Sequence, residues 1–487
     1  MDFRVVTIRF LCLLTALCLT SCEKPVADYQ SIEKYAQIVP AYEGTVIPPN
    51  IAPLNFEIRE HGEKFRVRIA VSGRDSFEFS TNRTVKIPLR QWKDLLDNNR
   101  GRQLEISIFA KKSTSWFKYK RIIFNVADES IDPYIAYRLI EPGYTIWNRM
   151  GIYQRNLENF DETPVMLNTL TDNNCMNCHS FCNYDAGTML FHLRKRHAGT
   201  ILAKDGEIIK MNLKTPDMLS AAVYPRWHRE GRFIAFSTNI TQQGFHTSND
   251  NKVEVFDKAS DIVIYDTQRN MIFTDSMIHS SSHFETFPEW SPDGQTLYFC
   301  SAPARPMPKE YDSLKYDLLR ITFDPLTATF GSKVDTIVSA ASTGKSVTFA
   351  RISPDGKHIV FCLSDYGTFP IWHRETDLYI LNLENGLIEN LTDVNSNQTD
   401  SYHSWSSNGR WMIFASRRLD GRYTRLFISY FDHEKKMHTP FLLPQKHPLF
   451  YDNLMYSYNI PEFIKNKITI SPQTFRKIAR KPAIDLN

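Results

Sequence analysis

From Asn55 to Val126 apolar and polar residues alternate with period two. KFRVRIAV places Phe65, Val67, Ile69 and Val71 on one face and charge on the other, and QLEISIFA repeats this with Leu104, Ile106 and Ile108. Such alternation marks strands with one buried face. With NFEIRE, SFEFS, TVKIPL and FKYKRIIFNV, residues 45–128 are expected to form about six short strands packed as a small β-sandwich. No constellation of catalytic residue types lies in this stretch, which points to a structural or docking role.

Residues 129–186 lose the alternation and read as an irregular, aromatic segment, after which the chain repeats itself. YPRWHREGRFIAFST from Tyr224, FPEWSPDGQTLYFCS from Phe287, FARISPDGKHIVFCL from Phe349 and YHSWSSNGRWMIFAS from Tyr402 align. Each predicts a short strand, a tight turn carrying Gly231, Gly294, Gly356 or Gly409, and an apolar strand, the glycine supplying a positive φ. A further strand ends each unit: SDIVIYD, YDLLRITFD, TDLYILNLENG, TRLFISYFD. Repeats of roughly 50–60 residues built from several strands indicate a β-propeller. The stretch after 187 and the segment Tyr451–Ile470 add blade material, so residues 187–470 are expected to hold five or six blades. YDNLMYSYNIPEF offers a strand to close the ring, and 471–487 forms a tail. Cys300 and Cys362 share an alignment slot with Ser237 and Ala415; four small residues there imply crowded strands and buried structural thiols.

These units resemble the WD40-like repeats of TolB-type propellers, with Trp-Ser-Pro-Asp-Gly intact at Trp290–Gly294. The resemblance covers roughly residues 187–465 and implies a six-bladed ring. The expected fold class is therefore all-β, an N-terminal Ig-like β-sandwich followed by a C-terminal five- or six-bladed TolB-like β-propeller.

The N-terminus changes the picture of where the chain works. Arg4 and Arg9, an apolar run from Phe10 to Leu19, and Leu19-Thr20-Ser21-Cys22 describe an export signal, too short to span a membrane stably. Small residues ending at a cysteine resemble the lipobox of bacterial lipoproteins, which implies that residues 1–22 are a signal with Cys22 lipidated and residues 23–44 a tether. The expected location is the cell envelope, anchored at the outer membrane on its periplasmic side. Net charge is +4 over 487 residues, and no basic stripe is interleaved with aromatics, which excludes a nucleic-acid partner. A composition of 42% hydrophobic and 23% charged residues is that of a globular chain.

The sharpest chemical signal is NNCMNCHSF at 173–181. C-x-x-C-H is the attachment sequence of a c-type haem: Cys175 and Cys178 would form thioethers and His179 would bind the iron. Export agrees with covalent haem attachment outside the cytoplasm. A zinc site with Cys182, a disulfide, or no special role are the alternatives. An exported lipoprotein with C-x-x-C-H just before TolB-like repeats resembles a group of cytochrome c-related envelope proteins. That resemblance implies a haem role and fixes neither reaction nor partner; the single motif gives one haem c per chain, and the simplest role is electron transfer to an unidentified redox or envelope partner. Distal ligand candidates are His192, Met189, His228 and His246, with His197, Met211 and Met218 also in reach; His192 leads because it follows closely on a predicted strand. The rival reading is a haem-free propeller scaffold that binds a protein or glycan. His279 and His283, four apart in a Ser-rich connection, read as a solvated loop, and Asp293 and Asp355 as turn formers. G-x-S-x-G, P-loop and H-E-x-x-H motifs are lacking.

Overall fold

The computed structural model describes residues 25–71, 76–141, 149–249 and 251–487; the export signal and Cys22 lie outside the described residues. Six four-stranded antiparallel sheets make up most of the chain. Their inner strands are Met176–Phe181, Val223–Trp227, His283–Trp290, Ser346–Ile352, Asp400–Trp405 and Ser457–Ile464. These touch in that order, and the last also touches the first, so the sheets close into a ring. The molecule carries a six-bladed propeller, with blades numbered here by those strands.

Blade 6 is composite. Its inner strand, Ser457–Ile464, comes from the segment expected to close the ring, and it pairs with Tyr134–Ile140, followed by Met150–Asn156 and Glu162–Leu167. This corrects the reading of 129–186 as irregular: the segment supplies three strands of blade 6 and the inner strand of blade 1. Alternation was invisible because both faces are covered; Tyr137 is fully buried, 4.9 Å from the Tyr458 ring and 6.5 Å from Tyr153. The tail is also built in. Ser471 caps a helix at Pro472–Ala479, accepting from Thr474 N at 3.1 Å. Phe475 packs on Phe191 at 5.2 Å, and Lys210 donates to the end carbonyls of Ala479 and Lys481.

The repeated turns work as their residues demand. Gly231, Gly294, Gly356 and Gly409 have φ between +66° and +75°. In three of the turns a serine hydroxyl accepts from the backbone five residues on: Ser291 from Thr296 at 2.9 Å, Ser353 from His358 at 3.0 Å, Ser406 from Trp411 at 2.9 Å. Asp293, Asp355 and Asn408 accept from those hydroxyls, so Asp293 and Asp355 are turn formers as expected, and Asn408 does the same.

The N-terminal region has a seven-stranded and a three-stranded sheet. Gln30–Tyr35 runs parallel to Ser115–Lys120, and Val46–Ile47 parallel to Ile122–Val126. These pairings depart from the antiparallel order of an Ig-like sandwich, because alternation selects a buried face and not a neighbour. Two strands, Gln30–Tyr35 and Ile38–Val39, also come from the stretch read as a tether. TVKIPL is strand only at Thr84–Val85, and after Pro88 the chain turns into a helix, Leu89–Asp97, whose Trp92 is buried with its indole N–H on Ile51 O at 2.9 Å. One apolar cluster runs from this region into blades 5 and 6. Asp132 accepts from the Ser407 amide and hydroxyl at 2.7 Å, and Glu129 from the Tyr430 hydroxyl at 2.8 Å.

Candidate functional site

Each inner strand breaks register at one place, and one residue there adopts the left-handed region. These residues are Cys178, Tyr224, Phe287, Phe349, Tyr402 and Ile460, with φ between +48° and +54°. For non-glycine residues that conformation costs about 1 kcal/mol or more each, and it recurs here because a bulge turns the side chain toward the axis. Four aromatic rings then meet: Tyr224–Phe287 at 4.7 Å, Phe287–Phe349 at 5.7 Å and Phe349–Tyr402 at 4.8 Å. The ring of aromatics closes the axis.

Cys178 is the blade 1 member of that slot, and His179 holds the next slot, shared with Pro225, Pro288, Ala350, His403 and Pro461. Cys178 is 4% exposed and His179 3%. Burial drives the His179 pKa down to about 3, with Arg138 adding to the effect, while the carbonyls of Ala136 and Ile460 oppose it. The cavity that Cys178 and His179 line measures about 20 Å³, whereas a cofactor-sized ligand needs about 300–1,000 Å³. Cys175 packs instead against the apolar cluster of Met176, Phe191 and Ile201 between blades 6 and 1. Both thiols are free. The motif's residues as folded do not fit a haem.

Nor do the other ligand candidates meet His179; none lines its cavity. Met189 is in the blade 6–blade 1 core. His192 pairs with Thr200 Oγ1 at 3.3 Å, and His228 Nε2 faces Gly294 O at 3.1 Å. His246 stacks on Tyr311 at the tip of the long blade 2 hairpin. Cys182 donates to His228 O at 3.7 Å. His283 bonds Ser282, and His279 lies 3.6 Å from Asp261. Among the described residues no group of three His, Cys, Asp or Glu side chains is arranged to hold a metal ion.

One slot further along lies an arrangement that no sequence motif announces. The positions are Ser180, Arg226, Glu289, Arg351, Ser404 and Glu462. Arg226 Nε meets Glu289 Oε2 at 2.5 Å, and its Nη1 spans the small Ser180 of blade 1 to reach Glu462 Oε1 at 2.9 Å. Arg351 Nη1 reaches Glu289 Oε2 at 3.3 Å, with its guanidinium 3.8 Å from the centre of the Phe349 ring. Burial lowers the Arg351 pKa to about 9, Arg226 reinforcing it, and burial raises the Glu462 carboxyl above its usual range. These four charges form the floor of an axial funnel of about 670 Å³, whose rim carries Arg229, Glu230, Asp293 and Lys465.

The next slot holds the repeat tryptophans. Trp227 donates to Ser180 O at 3.4 Å, Trp290 to Arg226 O at 3.2 Å and Trp405 to Arg351 O at 3.2 Å, each tying its blade to the preceding one. The alternation of charge one residue ahead of the tryptophan position was legible in three of the four aligned repeats (PRW, PEW, ARI), but its convergence needs the closed ring.

No family model matches the sequence, and no curated protein does. Among solved structures, TolB from Acinetobacter baumannii is 13% identical with a TM-score of 0.44, covering 77% of this chain and 85% of that one. The β-propeller domain of the Trilobed protease from Pyrococcus furiosus is 14% identical with a TM-score of 0.34, covering 71% and 95%. An oligogalacturonate lyase from Vibrio parahaemolyticus is 12% identical with a TM-score of 0.33, covering 59% and 85%. The ring of six sheets, rather than these likenesses, identifies the fold.

Proposed function

We propose that this chain is a haem-free binding propeller of the cell envelope, held there through Cys22, and that its axial funnel captures a charged segment of a protein partner. The observation that carries the reading is the chain of ion pairs Arg351–Glu289–Arg226–Glu462, buried or half-buried, at the floor of a 670 Å³ funnel. Burying charge is costly unless each group is paired, so four charges gathered where a ligand can enter favour a ligand that itself brings charge. A neutral glycan suits the funnel poorly. Its tryptophans are 9% exposed or less and spend their N–H groups between blades, so no indole face is open to a sugar, and only the half-buried rings of Phe181 and Tyr184 remain at the lining. The test is a tryptophan fluorescence titration with charged peptides and with neutral oligosaccharides. Saturable binding of peptides alone supports the proposal, and Arg351→Gln should weaken it. Binding of oligosaccharides alone, or a Soret band surviving denaturation in protein from a cytochrome c maturation host, overturns it. Cys22→Ala should move the protein to the soluble fraction.

A further inference from the structure

Beside the floor of the funnel lies a neck of about 20 Å³, and Arg226, Arg351 and Glu462 line both spaces. Two polar atoms at the neck have no hydrogen-bond partner although their residues are more than nine-tenths buried: Glu462 Oε2 and His179 Nε2. Both are acceptors. The carbonyls of Ala136 and Ile460 face the His179 ring, and with Nε2 unpartnered the single proton of the neutral imidazole belongs on Nδ1. The four charges balance, Arg226 pairing with Glu462 and Glu289 and Arg351 with Glu289, yet Glu462 Oε2 keeps no bond of its own.

Resting on the funnel as the binding site, we infer that the neck receives a primary ammonium group, a lysine head or an α-amino terminus of the bound segment. Glu462 Oε2 and His179 Nε2 accept two of its three N–H donors. An anion there would face two lone pairs, and the guanidiniums of Arg226 and Arg351 that line the same space are already engaged by Glu289 and Glu462. A guanidinium or trimethylammonium head exceeds a space that holds about one water-sized group. The aliphatic stem of a lysine crosses the funnel, and the neck itself holds only the ammonium head.

The experiment is calorimetric titration of the whole protein with three probes: acetyl-Gly-Lys-Gly-amide, its Nε-trimethyllysine form, and Gly-Gly-Gly-amide with a free amino terminus. The first two carry the same charge and differ in head size. A primary-amine probe should bind about tenfold or more tighter than the trimethylated one, as loss of hydrogen bonds to a charged group implies. The first and third probes identify which source of ammonium is taken. Glu462→Gln, which keeps the shape and removes the charge, should abolish the preference, with its thermal unfolding curve confirming the fold. Equal binding of primary and trimethylated heads overturns the ammonium site and leaves the funnel as a charged-segment site. Binding of none of the probes, with the neck filled by a single water only, overturns the ammonium site, and failure of the charged peptides as well overturns the funnel.

Discussion

Blades 1 and 4 meet the axis with the same backbone and different chemistry. Blade 4 presents Phe349, Ala350 and Arg351; blade 1 presents Cys178, His179 and Ser180, at φ values of +54° in both. In blade 4 the first side chain joins the aromatic ring and the third carries charge. In blade 1 a thiol, an imidazole and a hydroxyl take those places, and the small Ser180 lets Arg226 reach across to Glu462 at 2.9 Å. The comparison teaches that C-x-x-C-H here marks a variant of a repeated slot. Cys175 lies just ahead of an inner strand, against the core between blades, and the bulge of that strand turns Cys178 to the axis.

The largest way to break this comparison is at the aromatic. Phe349→Ala removes a ring packed on Phe287 and Tyr402 and under Arg351, and should cost about 3–5 kcal/mol, read as a drop in denaturant midpoint. A loss below about 1 kcal/mol would mean that the aromatic ring does not hold the axis.

Next in size is acid sensitivity at the slot that His179 shares with His403. Burial takes both histidines to a pKa of about 3. Below an unfolded value near 6.5 the unfolded chain takes up a proton that the folded chain refuses, so stability is full above about pH 6.5 and falls as pH drops toward 3. Each histidine should contribute on the order of 1–2 kcal/mol of loss between pH 7 and 5. His179→Ala or His403→Ala, matching Ala350 of blade 4, should flatten the pH dependence of the unfolding free energy; an unchanged slope would show the imidazoles protonating in place.

The smallest effects belong to the thiols. Cys178→Ala should cost about 1 kcal/mol or less, since the thiol fills a slot that other blades fill with rings. Cys300→Ala and Cys362→Ala should be as mild, matching Ala415, which is as fully buried as the cysteines. Burial raises the Cys300 thiol to about 12 and Cys362 higher still, so native protein should alkylate there only on unfolding, followed by mass spectrometry. Rapid alkylation of the folded chain would contradict a structural role.

Much of the fold was legible before any coordinates. Repeats with a glycine at one fixed place announce blades, because a positive φ closes that turn, and YDNLMYSYNIPEF was expected to close the ring. The stretch 134–167 was not legible, because strands buried on both faces lose their period-two pattern. The helix at Leu89–Asp97 was hidden by a strand-like TVKIPL just ahead of it.

The sequence by itself determined the local grammar: which residues turn, which alternate, and which positions recur from blade to blade. Those are short-range consequences of φ preferences and side-chain period. Only the tertiary structure decided what the recurring positions do together. Arg226, Glu289, Arg351 and Glu462 are separated by 62 to 236 residues in their contacts, and ring closure through Ser457–Ile464 is what sets Glu462 beside Arg226. The same closure buries Cys178 and His179 at a neck of about 20 Å³, because six inner strands converging on one axis leave room for a small polar group and little else.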